Sequence, residues 1–306
     1  MNFSALLTKI VIFIVLLAIG FFMARKKILG TEFTKSASAL LLNVFITASI
    51  VNSVLGSRPE ISSKEFGKAF LMVTLVIVLT YTLAFLFSAP FRKEKNSAQT
   101  EIILAVTNTL FVGLPIASAV CGSEAVFYIG MSCIPYNIIL YTYGIWKLKR
   151  GMADSKIHMK DMISTCLVAS IASLLIFLLN LPVPKLVSEL FATVSAATVP
   201  VSMIVIGASL GSINPAIAFA EKRNYYFVLV RLIVAPILTF LIVRCLTDNQ
   251  TLVLTCTVMA GCPVGSIVTP LSIKYGYDVE YASKAIMVTT IFSMLTLPLL
   301  IRILFA

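Results

Sequence analysis

Apolar residues in this chain run in long unbroken stretches, separated by short clusters of charge. The stretches fall at about 4–24, 36–55, 66–90, 98–121, 124–146, 161–181, 187–211, 224–246, 251–273 and 281–303. A bilayer core takes about 20 apolar residues per spanning helix. Lipid cannot satisfy a bare backbone, so stretches of this length predict helices. The expected fold is therefore an all-α integral membrane protein with ten transmembrane helices. The longest gap, Lys147 to Lys160, divides the chain into residues 1–150 and 151–306, with five spans in each part. The first stretch, Ser4 to Ala24, is followed by Arg25-Lys26-Lys27 instead of a small-residue cleavage site, so it reads as a span and not as a removed leader.

Charge placement orients these spans. The odd-numbered gaps hold 15 Lys and Arg, among them Arg25, Arg92, Lys147, Arg150, Arg223 and Lys274; the opposite side holds 7. Cytoplasmic loops collect such residues, so the expectation is a multi-pass plasma membrane protein with both termini outside. Five spans per half make the second half run opposite to the first, an inverted repeat.

Composition narrows the function classes. The chain of 306 residues is 59% hydrophobic and 12% charged, with a mean hydropathy of +1.01. A soluble domain has too little interior for that. The net charge of +11 would suggest nucleic acid in a soluble protein; here it resides in the gaps, where it sets topology and meets lipid headgroups. The single histidine, His158, argues against a metal site or His-based catalysis. The cysteines show no CxxC pair and read as small buried hydrophobes. With no HExxH, no embedded Asp pair and no Ser/His constellation, neither an enzyme nor a cofactor is expected. A coupling ion, H+ or Na+, stays open.

Two octapeptides carry the repeat. Gly113 to Val120 reads GLPIASAV and Gly261 to Val268 reads GCPVGSIV, identical at four of eight positions and 148 residues apart. Proline breaks a helix interior and suits the start of a new one. Pro115 and Pro263 are thus expected to begin the second halves of two interrupted helices, spans 4 and 9. Their first-turn N–H groups, near Ser118 and Gly265–Ser266, would converge and favour an anion. Simple proline kinks are the alternative. Every acidic residue, from Glu32 to Glu280, lies in a gap or within a turn or two of a span end. The missing mid-membrane carboxylate argues against a carboxylate-based cation or proton antiporter.

Other polar residues fall inside the spans. Asn108 precedes the expected break, Asn137 is mid-span 5, and Thr289, Thr290 and Ser293 are mid-span 10. Asn43 and Thr47 lie in span 2, and Pro200, Ser202 and Gly207 in span 7. The Ser and Thr set also fits interhelical hydrogen bonding; amides near the crossing can bind a carboxylate. Arg231 is the one strong charge well inside a span, and two roles are open for it: attracting an anion, or capping the carbonyls of a broken helix.

Several stretches resemble the auxin efflux carrier family, which includes bacterial malate and malonate permeases and plant PIN-formed carriers. They are Asn108–Pro115 (NTLFVGLP), Pro200–Leu210 (PVSMIVIGASL), Arg231–Pro236 (RLIVAP) and Thr290–Pro298 (TIFSMLTLP). The resemblance implies a 5+5 inverted repeat with crossed, broken helices 4 and 9. It implies a scaffold from helices 1, 2, 6 and 7, a transport domain from helices 3–5 and 8–10, elevator-like movement, and a homodimer through the scaffold. It carries Asn108, Pro115, Asn137 and Pro263 over as site residues. One departure is Asn43-Val-Phe-Ile-Thr47, where the family often has a proline at the last position.

The expected function is a secondary transporter for a small organic anion. Its substrate-binding set is Asn108, Gly113, Pro115, Ser118, Asn137, Gly261, Pro263, Ser266 and Thr290, with Arg231 as a candidate anion attractor. The expected partners are that anion and membrane lipid, with no nucleic acid. The alternatives are a sodium-coupled organic-anion symporter resembling the bile acid family and a non-transporting membrane sensor.

Overall fold

The computed structural model describes residues 3–55, 63–150, 163–179 and 181–305. His158, Glu60, Asp154, Asp161, Arg58, Lys156 and Lys160 lie outside the described residues, as does most of the central gap. The described chain is helical, with no β-strand beyond one isolated bridge. Six helices are long and apolar enough to cross a membrane: Glu32–Leu55, Glu65–Phe87, Thr109–Lys149, Lys185–Gly211, Lys222–Leu246 and Val279–Leu304. Val11–Arg25, Thr165–Leu178 and Gln250–Gly261 are shorter apolar helices. Within Thr109–Lys149 the chain turns at Gly122 (φ 68°, ψ −149°), a left-handed conformation that costs glycine little.

The helices are α1 (Phe3–Arg25), α2 (Thr31–Leu40), α3 (Thr47–Leu55), α4 (Ser63–Phe87), α5 (Ser97–Ala105), α6 (Leu114–Ile139), α7 (Ile145–Lys149) and α8 (Thr165–Leu178). They continue with α9 (Lys185–Ala196), α10 (Thr198–Gly211), α11 (Pro215–Ala220), α12 (Lys222–Leu229) and α13 (Ala235–Leu246). The last three are α14 (Gln250–Gly261), α15 (Val268–Lys274) and α16 (Val279–Leu304). One group forms where α1 lies along α10 and α3 packs on α8 and α9. The approach of α1 to α10 depends on small residues: a Cβ on Gly207 would lie 2.0 Å from the Leu17 carbonyl oxygen, and one on Gly20 2.1 Å from that of Ile204. Such close backbone contact is how helices associate where lipid removes the hydrophobic drive. Gly207 is thus a packing residue, and Ser202 donates to Val199 O at 2.8 Å within its own helix. A second group joins α4, α5, α6, α13 and α14, with α16 against α12 and α15.

Four π-turns interrupt the helical ladders, at Leu41–Ile46, Thr109–Gly113, Leu140–Gly144 and Val230–Val234. Two of them lead directly into prolines, Pro115 and Pro236. A proline has no N–H to donate and its ring crowds the carbonyl four residues back; a widened turn relieves both. The Asn43–Thr47 stretch keeps a π-turn without proline. There the Thr47 hydroxyl donates to Leu42 O, five residues back, at 2.8 Å.

Helical structure stops and resumes near both octapeptides, but not where they place the breaks. Helix α5 ends at Ala105, Val106 is extended (φ −82°, ψ 116°), and helical structure resumes at Thr109. Pro115 does not begin the second half; it is the second residue of α6, beyond the π-turn. In the other half α14 ends at Gly261, Cys262 is extended (φ −64°, ψ 147°), and α15 starts at Val268. Pro263 therefore lies in the break itself. Its ring biases Cys262 to extended backbone, and Pro263 does not begin the following helix, which starts at Val268.

Candidate functional site

The two interruptions meet. Thr107 and Val264 form an antiparallel bridge. Asn108 N donates to Pro263 O and Gly265 N donates to Val106 O, both at 2.9 Å. Backbone groups released by broken helices must find partners inside the protein, and here each break serves the other. The bridged residues are 157 apart, so the octapeptide match at 148 is not the residue-for-residue equivalence at the crossing. Val264 N donates in turn to Thr289 Oγ1 at 3.2 Å. Gly113 and Gly265 allow the approach. A Cβ on Gly113 would lie 2.7 Å from Cys262 Sγ, and one on Gly265 2.8 Å from Val106 Cγ1.

Arg231, fully buried, lies on one face of this crossing. Its Nη2 and Nε donate to Cys262 O at 3.1 and 3.3 Å, and its Nη1 donates to Leu104 O. It thus joins the carbonyl ends of α5 and α14, where helix dipoles put partial negative charge. Of its two expected roles, this is the capping one. Arg231 does not line the cavity described next.

That cavity, about 390 Å³, lies beside the crossing. Thr107, Asn108 and Thr109 line it from the first interruption, and Gly265, Ser266 and Ile267 from the second. Asn137 and Tyr136 come from α6, Asn43 from the Leu41–Ile46 π-turn, and Ser164 and Thr165 from the start of α8. The cavity thus lies between the two packing groups. Among the described residues, no Asp, Glu, Lys or Arg lines it. Asn137 Nδ2 donates to Cys133 O at 2.7 Å, which leaves its second N–H as a donor and its Oδ1 as an acceptor. Thr165 Oγ1 donates to Asn43 Oδ1 at 2.8 Å, and the Thr107 and Thr109 hydroxyls are 2.8 Å apart. The N–H groups of Thr109 to Phe111 open a helix and have no acceptor behind them in it.

Asn108, Asn137 and Ser266 are thus brought to one cavity. Pro263, Gly113 and Gly261 build the crossing without lining the cavity: a Cβ on Gly261 would meet Leu297 Cδ2 at 2.8 Å. Pro115 and Thr290 do not line it either. Thr290 is buried with its hydroxyl unpartnered, and its neighbour Thr289 is the one that reaches the crossing. Ser118 lines a separate small cavity of about 140 Å³ with Ser49, Asn52, Ser53 and Thr198. Sequence reasoning missed Thr107, Thr109, Tyr136 and Thr165. The run Thr107-Asn108-Thr109, three polar residues together in an apolar stretch, was the available signal.

Long apolar helices, a polar crossing and an uncharged cavity beside it define a multi-pass membrane protein with an internal site. The chain belongs to the membrane transport protein family, the auxin efflux carrier family of the resemblance, which it matches over residues 5–166 and 155–301. It is 25% identical over 306 residues to an uncharacterized transporter of Methanocaldococcus jannaschii, covering 95% of this chain and 96% of that one. To an uncharacterized transporter of Methanothermobacter thermautotrophicus it is 24% identical over 297 residues, 94% of each. The protein is a membrane transporter and not an enzyme.

Proposed function

We propose that this transporter is a secondary carrier for a small organic anion, a carboxylate, working by elevator-like alternating access. The observation that carries this reading is the uncharged cavity in which the Asn108 and Asn137 amides flank the start of the helix at Thr109. Helix starts and amides together receive a carboxylate without a formal positive charge. In this proposal residues 1–150 and 151–306 are inverted five-span repeats. The group of α1, α3, α8, α9 and α10 is the scaffold, through which two copies would pair, and the remaining helices form the transport domain.

The lining also bears on the cargo. Leu42, Ile77, Leu110, Phe111 and Met259, with Tyr136 and Tyr141, surround the polar groups. A second carboxylate in that chamber would be desolvated with no countercharge among the described lining residues, so one carboxylate on an apolar body fits better than a dicarboxylate. Uptake of labelled indole acetate, malate and malonate into proteoliposomes, with and without sodium and a pH gradient, tests both points. The expected result is anion-selective flux with indole acetate ahead of malate. Flux without anion preference, or wild-type flux in Asn108→Ala, would refute the carrier site. Strict sodium dependence would move the assignment to the symporter alternative.

A further inference from the structure

A second pocket, larger than the cavity at the crossing, lies at the end of the second packing group. It measures about 570 Å³ and is lined by Phe85, Ser88, Arg92, Lys95, Ser97, Ala98, Glu101, Lys147, Arg150 and Tyr277. Four of these side chains are cationic and one is anionic. The carboxylate is already occupied. Glu101 is 3% exposed; Lys147 Nζ is 2.7 Å from its Oε2, Ser88 Oγ donates to the same oxygen at 3.4 Å, and the Tyr143 hydroxyl donates to its Oε1. Arg92, Lys95 and Arg150 are exposed and make no ion pair among the described residues. The wall formed by Ser97 and Ala98 is the first turn of α5, which has no side-chain cap; Ser97 N already donates to Glu94 O at 3.1 Å, and the dipole of the helix start adds to the positive field.

The surroundings of the pocket indicate the source of its anion. Phe85 is 43% exposed, Leu86 55% and Trp146 52%. The Arg92 guanidinium stacks 4.6 Å above the Phe85 ring, and that of Arg150 lies 5.7 Å above Trp146. Exposed aromatic and apolar side chains beside cations are the arrangement that places a group at the bilayer interface. Basic pockets at helix ends on the cytoplasmic side receive phosphate-bearing headgroups.

We propose that this pocket binds a phosphate group, that of an anionic phospholipid of the adjacent leaflet, through Arg92, Lys95 and Arg150 and the start of α5. Lys147 contributes field while remaining paired with Glu101. The site is separate from the crossing and does not depend on the identity of the cargo.

Purified protein is reconstituted in nanodiscs of phosphatidylcholine with or without phosphatidylglycerol, and thermal stability and lipid retention are measured. A detergent sample with millimolar inorganic phosphate forms a second arm. Wild type is expected to gain stability and retain phosphatidylglycerol. Each of Arg92→Gln, Lys95→Gln and Arg150→Gln is expected to weaken retention about fivefold, the equivalent of about 1 kcal/mol per basic residue at a membrane surface. Lys26→Gln with Lys27→Gln, at another basic turn, is expected to leave retention unchanged. Stabilisation by inorganic phosphate that the Lys95→Gln variant loses would keep the phosphate site and assign it to a soluble source. No preference for phosphatidylglycerol or phosphate, or a preference that survives all three single substitutions, would overturn the proposal. Lys95→Gln guards against misfolding, because the exposed Lys95 side chain makes no ion pair among the described residues.

Discussion

The two helix interruptions reach one geometry from unlike sequences. The second, Cys262–Gly265, contains a proline and a glycine and would leave helical geometry on its own. The first, Val106–Asn108, contains neither, and extended backbone at Val106 and Thr107 persists there because the second break supplies its partners. One break is encoded locally and the other is imposed by tertiary contact. The prolines divide in the same way. Pro263 takes part in the break, whereas Pro115 sits in a helix whose preceding π-turn accommodates it.

The largest effect is expected where both breaks share one group. Arg231→Met leaves the Leu104 and Cys262 carbonyls without their common donor, at a cost on the order of 3 kcal/mol for the unsatisfied groups. Thermal unfolding in detergent should show a clear loss. Arg231→Lys should recover only part of it, because an ammonium lacks the planar fork that spans two acceptors. An unchanged melting temperature in Arg231→Met would show that the guanidinium does not hold the crossing.

Next comes the close approach of the two segments. Gly265→Ala pushes a Cβ to 2.8 Å from Val106 Cγ1 and 3.1 Å from Thr107 O, and overpacking of this kind costs about 1–3 kcal/mol. The first break should loosen although its own sequence is intact. Faster hydrogen exchange at the Asn108 amide, measured by mass spectrometry, checks it; unchanged exchange there would uncouple the two breaks.

Asn108→Ala separates building the crossing from using it. The backbone N–H of Asn108 makes the bond to Pro263, and alanine keeps that bond. Stability should therefore change by less than about 1 kcal/mol. Flux of the carboxylate should fall about tenfold or more, the effect of losing one polar contact to a desolvated charge. A large stability loss would make the side chain structural.

The smallest effect is expected at Pro115. Pro115→Ala restores a helix-favouring residue in the second turn of a helix and should leave flux within about twofold of wild type. A loss as large as that of Asn108→Ala would return the break to the Gly113–Pro115 position.

The hydrophobic pattern placed helical structure in each apolar stretch, because burial in lipid leaves the backbone no other option. Polar residues inside those stretches were visible as candidates, but that Thr289 reaches the crossing and that Asn108 and Asn137 line one cavity emerged only from the packing. The octapeptide likeness misled on register, since it reflects local helix chemistry while the crossing is set by inter-segment hydrogen bonds. The role of Arg231 was open for the same reason. A lone arginine in a span reads as attractor or cap until its acceptors are known, and Leu104 and Cys262 lie far from it in sequence. The Glu101–Lys147 pair was equally hidden, because charges at span ends look solvated until packing brings them together. Sequence alone determined where the chain is helical and apolar, which short-range sterics and lipid solvation dictate. Which breaks meet, which carbonyls Arg231 caps and which polar residues share a cavity were decided only by the tertiary structure, because those pairings join residues far apart in sequence.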